Sequence, residues 1–385
     1  MKQVAGLIST YSSDEFGICS ALYELGGMVV MHDASGCNST YTTHDEPRWY
    51  DMESMIYISA ISEMEAIMGD DDKLIHDVIE TAQQMKPKFI ALVGAPIPYM
   101  IGTDLKAIAA VIEEETGIPS FGLEANGMNG YLSGISMAFD AIVDRFCKKE
   151  VLKSTQTKVN ILGATPLDFS LNGSIDSIRR WIKNIGMQTG ACFAMGSSLE
   201  ELSKAGKAQV NLVISYGAME IAKKMEEEFD IPYVVGVPVG KLFAATVEHC
   251  LKESLETGKS QVVCQKYKAD IRSEKKAAII GESVYATSLA GEIEQQYGIS
   301  CEVLCPLETE EMILRSMDKQ TPEEDDLMEA LEGMDIVIAD PLYKPLCPKK
   351  ASFYPLGHIA FSGRIYENKI PDLIDREFEE TGGLR

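Results

Sequence analysis

Short runs of apolar residues punctuate the chain at regular intervals. They are Phe89-Ile90-Ala91-Leu92-Val93, Val159-Asn160-Ile161-Leu162, Val210-Asn211-Leu212-Val213-Ile214, Lys276-Ala277-Ala278-Ile279-Ile280 and Asp335-Ile336-Val337-Ile338-Ala339. Runs of this length, apolar at nearly every position, predict strands buried on both faces. After each of the first four comes a stretch with helical spacing, near residues 104–115, 175–186, 218–229 and 288–297. Strands that alternate with helices of 10–15 residues predict parallel sheets covered on both sides. The expected fold is therefore α/β, with three Rossmann-like doubly wound parallel-sheet domains over residues 1–152, 153–262 and 263–385. The breaks fall in the polar Lys/Thr-rich stretch 147–158 and the mixed stretch 258–275. Thr321-Pro322-Glu323-Glu324-Asp325-Asp326 predicts a helix start, with Thr321 as the cap and the acids in the first turn. Met1-Lys2-Gln3-Val4-Ala5-Gly6-Leu7-Ile8 reads as a first strand, without the apolar core or cleavage site of an export signal.

Composition narrows the partners. The 385 residues correspond to two or three domains at roughly 150 residues each. The chain has 35 Lys and Arg against 59 Asp and Glu, a formal charge of −24. Such a polyanion repels phosphate backbones and anionic lipid, so neither nucleic acid nor a membrane surface is expected as a partner. No apolar run approaches the ~20 residues of a membrane span, and the expected location is cytoplasmic. Gly163 and Gly281 follow strands, but neither opens a GxGxxG, and there is no GxxxxGK[ST]. Nucleotide binding by this chain is not expected. The nine cysteines are scattered, with no CxxC pair, which reads as reduced and mostly buried thiols.

Residues 28–49 carry the most chemistry. Met28-Val29-Val30-Met31 leads to His32-Asp33-Ala34-Ser35-Gly36-Cys37-Asn38, so a strand delivers a His and then a Cys into a polar turn. The preceding helix, near 15–25, runs antiparallel to that strand. Its start, with Ser12, Ser13 and Asp14, is expected at the same end of the sheet as Cys37, where a helix N-terminus favours a thiolate. Cys37 is then either a reactive or metal-binding thiolate or a small buried hydrophobe in a tight turn. His44-Asp45-Glu46-Pro47-Arg48-Trp49 reads either as part of a pocket for a substrate or partner, with His32, or as an exposed loop. Tyr343-Lys344-Pro345-Leu346-Cys347-Pro348-Lys349-Lys350 reads either as an anion-binding segment or as a solvated one. Cys301 and Cys305 would meet on a helix, yet their surroundings read as strand, which argues against a metal there. His249-Cys250 reads as part of a helix, in a structural role.

The stretch around Cys37 resembles the nitrogenase component 1 family, in which a strand ends in His-Gly-x-x-Gly-Cys. That family includes the molybdenum-iron protein subunits, their cofactor-assembly scaffold and the dark-operative protochlorophyllide reductases. Similar segments follow in order: Met68-Gly69-Asp70-Asp71-Asp72-Lys73-Leu74, Met100-Ile101-Gly102-Thr103-Asp104-Leu105, Thr116-Gly117-Ile118-Pro119, Gly130-Tyr131-Leu132-Ser133-Gly134 and Asp230-Ile231-Pro232-Tyr233. They cover residues 1–260. The resemblance implies a subunit that receives electrons from an ATP-dependent iron–sulfur reductase and passes them through an interface cluster to a substrate. The family places three cysteines per subunit at that cluster. This chain matches the second with Cys37, has Ser12 and Ser13 at the first, and has Pro96 at the third. Ligand counting therefore implies an iron–sulfur cluster, of the [4Fe-4S] type, shared across an interface with a second copy or a homologous subunit. Cys19, Ser12, Ser13 and Asp14 are further ligand candidates. The Cys that holds the molybdenum-iron protein's active-site cofactor corresponds to Ser215, and the pattern around His358 differs, so an iron–molybdenum cofactor is not expected; Ser215, His358 and Lys344 join His32, His44 and Arg48 as candidates for a substrate or partner pocket. The alternative expectation is a non-catalytic scaffold, or a small-molecule-binding subunit, that keeps the fold without a cluster.

Overall fold

The computed structural model describes residues 7, 13–34, 36, 38, 41, 46–148 and 155–378. These residues divide into two compact units. The N-terminal unit comprises the described residues of Tyr11–Cys147 with Phe193–Ser203, and the C-terminal unit those of Met1–Thr10, Lys148–Cys192 and Lys204–Arg385.

The N-terminal unit is built on one parallel sheet of four strands: β1 (Met28–Met31), β2 (Met55–Ile58), β3 (Ile90–Val93) and β4 (Ser120–Leu123), ordered β2-β1-β3-β4. Its helices are α1 (Asp14–Leu22), α2 (Glu63–Met68), α3 (Asp72–Met85), α4 (Pro96–Ile101), α5 (Leu105–Thr116) and α6 (Tyr131–Phe146). Helix α3 turns Leu74, Val78 and Ala82 to the sheet, one residue per helical turn. There they join Met28, Val30, Ile90 and Leu92 and the inward face of α5 in one core.

The C-terminal unit carries two parallel sheets, each of five strands. The first takes β5 (Lys158–Leu162), β6 (Gln188–Cys192), β7 (Val210–Val213), β8 (Tyr233–Val235) and β9 (Gln261–Val262), in the order β6-β5-β7-β8-β9. The second takes β10 (Lys276–Ile280), β11 (Ser300–Cys305), β12 (Lys319–Gln320), β13 (Ile336–Ala339) and β14 (Ser352–Pro355), in the order β12-β11-β10-β13-β14. The associated helices are α7 (Pro166–Phe169), α8 (Ser174–Asn184), α10 (Met219–Phe229), α11 (Leu242–Thr257), α12 (Ser283–Tyr297), α13 (Glu324–Leu331) and α14 (Ile359–Ser362), while α9 (Leu199–Leu202) belongs to the N-terminal unit.

Each sheet starts in its interior, grows to one edge, then returns and grows to the other. The chain therefore reverses between β1 and β3, between β5 and β7, and between β10 and β13. This is the doubly wound pattern, and it opens a crevice beyond the carboxyl ends of the two strands at each reversal.

Two local expectations are corrected. Thr321 is not the cap of α13: its amide is tied to the Cys305 carbonyl at 2.7 Å as the continuation of β12, and Glu323 occupies the cap, with Glu324, Asp325 and Asp326 in the first turn. Helix α12 begins at Ser283, five residues before the expected 288. Its polar opening hid it, because Thr287 and Ser288 donate their hydroxyls to the carbonyls of Ser283 and Val284 and so bury as helix residues. The expected strand at 1–8 falls, apart from Leu7, outside the described residues.

Candidate functional site

The three reversal points gather the polar side chains that apolar strands would otherwise exclude. At the first of them, β1 is followed by His32, and β3 leads through Gly94 and Ala95 to Pro96, the first residue of α4. Cys37, Ser12 and His44 lie outside the described residues, whereas Ser13, Gly36 and Asn38 lie within them. Ser13 precedes α1 as its cap residue, bridging to Gly130 through the backbone. The Asp14 carboxylate is fully occupied. Its Oδ1 accepts the Gly127 amide at 2.8 Å, and its Oδ2 accepts the Asn126 amide at 3.1 Å and the Asn129 side chain at 3.2 Å. These bonds clamp the loop after β4 onto the start of α1.

Glu15 differs. Its side chain is buried, its Oε1 stands near Gly127 where that glycine meets the Pro96 ring, and its Oε2 has no hydrogen-bond partner among the described residues. Burial, and then the adjacent Asp14, push its pKa up to about 7. Asn38, the neighbour of Cys37 in sequence, is also buried; it donates to Asp33 Oδ2 at 3.1 Å, but its own Oδ1 has no partner among the described residues. Among the described residues two buried oxygens thus lack partners, Glu15 Oε2 on α1 and Asn38 Oδ1 after β1. Cys19 is fully buried within α1, and burial pushes its thiol well up, which suits an inert packing residue rather than a thiolate.

His32 is buried with Nδ1 2.8 Å from the Ser59 hydroxyl, and burial lowers its pKa. Arg48 is buried against its own unit. Its guanidinium donates to both Glu46 oxygens at 2.7 and 2.9 Å, to Glu24 at 2.9 Å and to the Ser20 carbonyl at 2.8 Å, and lies 4.5 Å over the Tyr23 ring. It joins α1 to the loop that follows β1.

In the C-terminal unit the two reversal points contribute to one buried cluster. Asp168, after β5, accepts the hydroxyls of Thr165 and Ser215 at 2.6 and 2.7 Å. Ser215 follows β7, across the reversal. Glu282 follows β10 and accepts the amides of Tyr216 and Tyr285, each at 2.9 Å. Burial and the nearby Asp168 push it up to about 7. Asp340 follows β13 and accepts the amide of His358 at 2.7 Å and the Ser362 hydroxyl at 2.8 Å. His358 follows β14 with Nε2 3.9 Å from Asp168 Oδ1; its Nδ1 accepts the Ala360 amide at 3.3 Å, which leaves the proton of the neutral ring on Nε2. Burial lowers its pKa. A carboxyl that is partly protonated near neutrality, a second carboxyl and a neutral imidazole make a site able to hold and move a proton.

The cluster unites Ser215 and His358 from the sequence expectations. Lys344 stands apart, exposed in a 3₁₀ turn after Asp340. Glu15, Asp168, Glu282 and Asp340 were not singled out. The signal for the last two was present, since each is an acid one or two residues beyond an all-apolar strand. Among the described residues no group of three or more His, Cys, Asp or Glu is placed to hold a metal ion, and no helix is long and apolar enough to cross a membrane.

A family model for nitrogenase component 1 type oxidoreductase matches residues 21–303. Among curated proteins, the nitrogenase iron-molybdenum cofactor biosynthesis protein NifE of Clostridium pasteurianum is 26% identical over 341 residues, covering 80% of this chain and 71% of that protein. The nitrogenase molybdenum-iron protein alpha chain of Azospirillum brasilense is 30% identical over 191 residues, covering 47% of this chain and 39% of that one. Among solved structures, nitrogenase Cp1 at pH 6.5 superposes with a TM-score of 0.68 at 17% identity, covering 93% of this chain and 87% of that one. The likeness extends the fold to the C-terminal third, where the sequence motifs stop, and with a family match over most of its length the chain belongs to the nitrogenase component 1 type oxidoreductases.

Proposed function

We propose that this chain is a redox subunit of nitrogenase type. It holds an iron–sulfur cluster at the entry of α1, takes electrons from an ATP-dependent iron–sulfur reductase, and delivers them to a substrate within an oligomer of homologous subunits. The observation that carries this reading is the orphaned Glu15 Oε2. A buried carboxyl oxygen without a partner is costly, and Glu15 lies close in sequence to Ser13, with its other oxygen near Gly127 and the Pro96 ring. Cys37 would supply the thiolate and Glu15 an oxygen ligand, with the remaining ligands coming from the second subunit. In this reading Asp14 is a positioning residue rather than a ligand, because the 126–129 loop engages both its oxygens. When bound, such a cluster supplies one-electron transfer. The exposed apolar side chains of α2 and α4 at the same end of the sheet support an oligomer.

A second reading is favoured by the similarity to a cofactor biosynthesis protein over 80% of the chain: a scaffold that carries a cluster or its precursor without turning over a substrate. In both readings Ser215 is not a metal ligand, since its hydroxyl is donated to Asp168. The test is iron and acid-labile sulfide content, with EPR after dithionite, on protein purified anaerobically with its co-encoded homologue. A cluster in the wild type that is lost in Cys37→Ala and altered in signal in Glu15→Gln supports the proposal; a wild type without iron overturns it. Electron flow from the reductase separates the redox subunit from the scaffold.

A further inference from the structure

The N-terminal unit contains a cavity of about 150 Å³ that neither reading uses. It lies between α3 and the face of the sheet that carries Met28, Val30 and His32, at the carboxyl ends of β1 and β2. Its walls are apolar: Met28, Val30, Leu74 and Val78. The floor ends in His32, 4% exposed, and Ser59. The rim bears Glu65, Asp70, Asp77 and Lys73. Lys73 is taken by Glu65 at 2.8 Å, so the two cancel and the rim keeps the negative charge of Asp70 and Asp77. Asp70 Oδ1 also accepts the Asp72 amide at 3.2 Å, whereas the Asp77 carboxylate has no ion pair or hydrogen bond among the described residues.

His32 is polarised in the same sense. Its Nδ1 lies 2.8 Å from the Ser59 oxygen, which accepts the Asp33 amide at 3.2 Å; when the Ser59 hydrogen turns to the Asp33 carbonyl at 3.4 Å, Nδ1 is the donor to Ser59. In that arrangement Nε2 is a lone pair, and it has no partner among the described residues. A neutral acceptor at the floor and carboxylates at the rim attract N–H donors and reject anions.

We propose that this pocket binds a small organic cation, a primary ammonium on an apolar stem of five to seven carbons. The stem length follows from the volume, since an apolar cavity of about 150 Å³ accommodates a benzene-sized body. The acidic rim draws the ammonium in and the His32 nitrogen accepts from it, while the stem covers Leu74 and Val78.

The test uses benzylamine as the probe, with benzyl alcohol, benzoate and magnesium chloride as comparisons, followed by NMR of the methyl groups of Val30, Leu74 and Val78 in the full chain. Benzylamine is expected to shift these methyls saturably, with benzyl alcohol at least tenfold weaker and benzoate inert. Asp77→Lys, at an exposed position that leaves the core intact, is expected to weaken benzylamine at least tenfold. Val78→Phe, which fills the cavity, should abolish the shifts, and the Asp77 variant keeps the test decisive if that one fails to fold. Equal binding of benzyl alcohol, indifference to Asp77→Lys, or displacement of benzylamine by magnesium would each overturn the proposal.

Discussion

Glu282 shows how one residue links the interior cluster to pH. Its carboxyl is fully buried and pushed up to about 7, while in an unfolded chain it titrates near 4.5. Between those values the folded state binds the proton and the unfolded state does not. The contribution is therefore complete below about pH 4.5 and is lost as pH rises through about 7. The loss is on the order of 3 kcal/mol. Glu15, raised to the same extent, adds a fall of the same sign in the other unit. Glu282→Gln removes the titration, but it also turns an NH₂ toward one of the two amides that Glu282 now accepts from Tyr216 and Tyr285. The variant is thus expected to be less stable at pH 5.5, by about 1–3 kcal/mol, yet to lose less stability than the wild type between pH 5.5 and 8. Urea midpoints at the two pH values measure this. An unchanged slope would mean that Glu282 is ionised throughout. Arg48 makes the contrasting case of a buried charge that is fully paired, by Glu46 and Glu24, and so serves the unit's internal structure rather than a ligand.

At the scale of elements, the candidate cluster edge depends on how closely α1 and α6 approach. A methyl group at Gly17 would lie 2.0 Å from the Tyr131 carbonyl oxygen, and one at Gly134 would lie 1.9 Å from the Asp14 carbonyl oxygen. Each helix thus needs the other's missing side chain, and backbone meets backbone at the point where Asp14 clamps the 126–129 loop. Gly134→Ala must push α1 outward. The expected result is destabilisation by about 2–3 kcal/mol or more, with faster amide exchange in α1 and at Asn126 and Gly127 but unchanged exchange in α11 and α12; exchange mass spectrometry reads all of these. Gly134 stood in the sequence as the end of a glycine-bearing segment, but only the structure shows which backbone it lets in. The strands were legible for a similar reason of context. β1, β3, β5, β7, β10 and β13 are the interior strands at the reversals, so they are apolar on both faces and announce themselves. β4 and β6 lie at sheet edges with serine, glycine or glutamine among their residues, and they were missed; so was the edge strand β2, apolar but only four residues long. The candidate site divides in the same way: His32 and Ser215 stood out at the ends of apolar strands and His358 only as part of a C-terminal segment, but no periodicity could reveal that Asp168 lies between Ser215 and His358.

For the whole molecule the question is association. The chain carries a formal charge of −24, which repels a second copy and any acidic partner. Yet α2 and α4 pack together and present Met64, Ile67, Met68, Tyr99 and Met100 to solvent, with Met100 82% and Ile67 70% exposed. An apolar surface of this kind at the carboxyl end of the first sheet, where Cys37 falls in sequence, is what a shared cluster edge requires if neither subunit holds enough ligands alone. The driving force would be hydrophobic, opposed by like charge. Association between copies should then strengthen as sodium chloride rises from 50 to 500 mM, because screening removes the repulsion and leaves the apolar term. Docking to a basic partner through the acidic surface would weaken over the same range. Met100→Glu places a charge in the contact and is expected to weaken association at least tenfold, equivalent to about 1.4 kcal/mol. Ile365→Glu, equally exposed at 78% but in the other unit, should leave it unchanged. Sedimentation velocity across a concentration series distinguishes these outcomes. A monomer at every salt concentration, or equal effects of the two substitutions, would remove the α2–α4 face as the interface and with it the support it lends to a cluster shared between subunits.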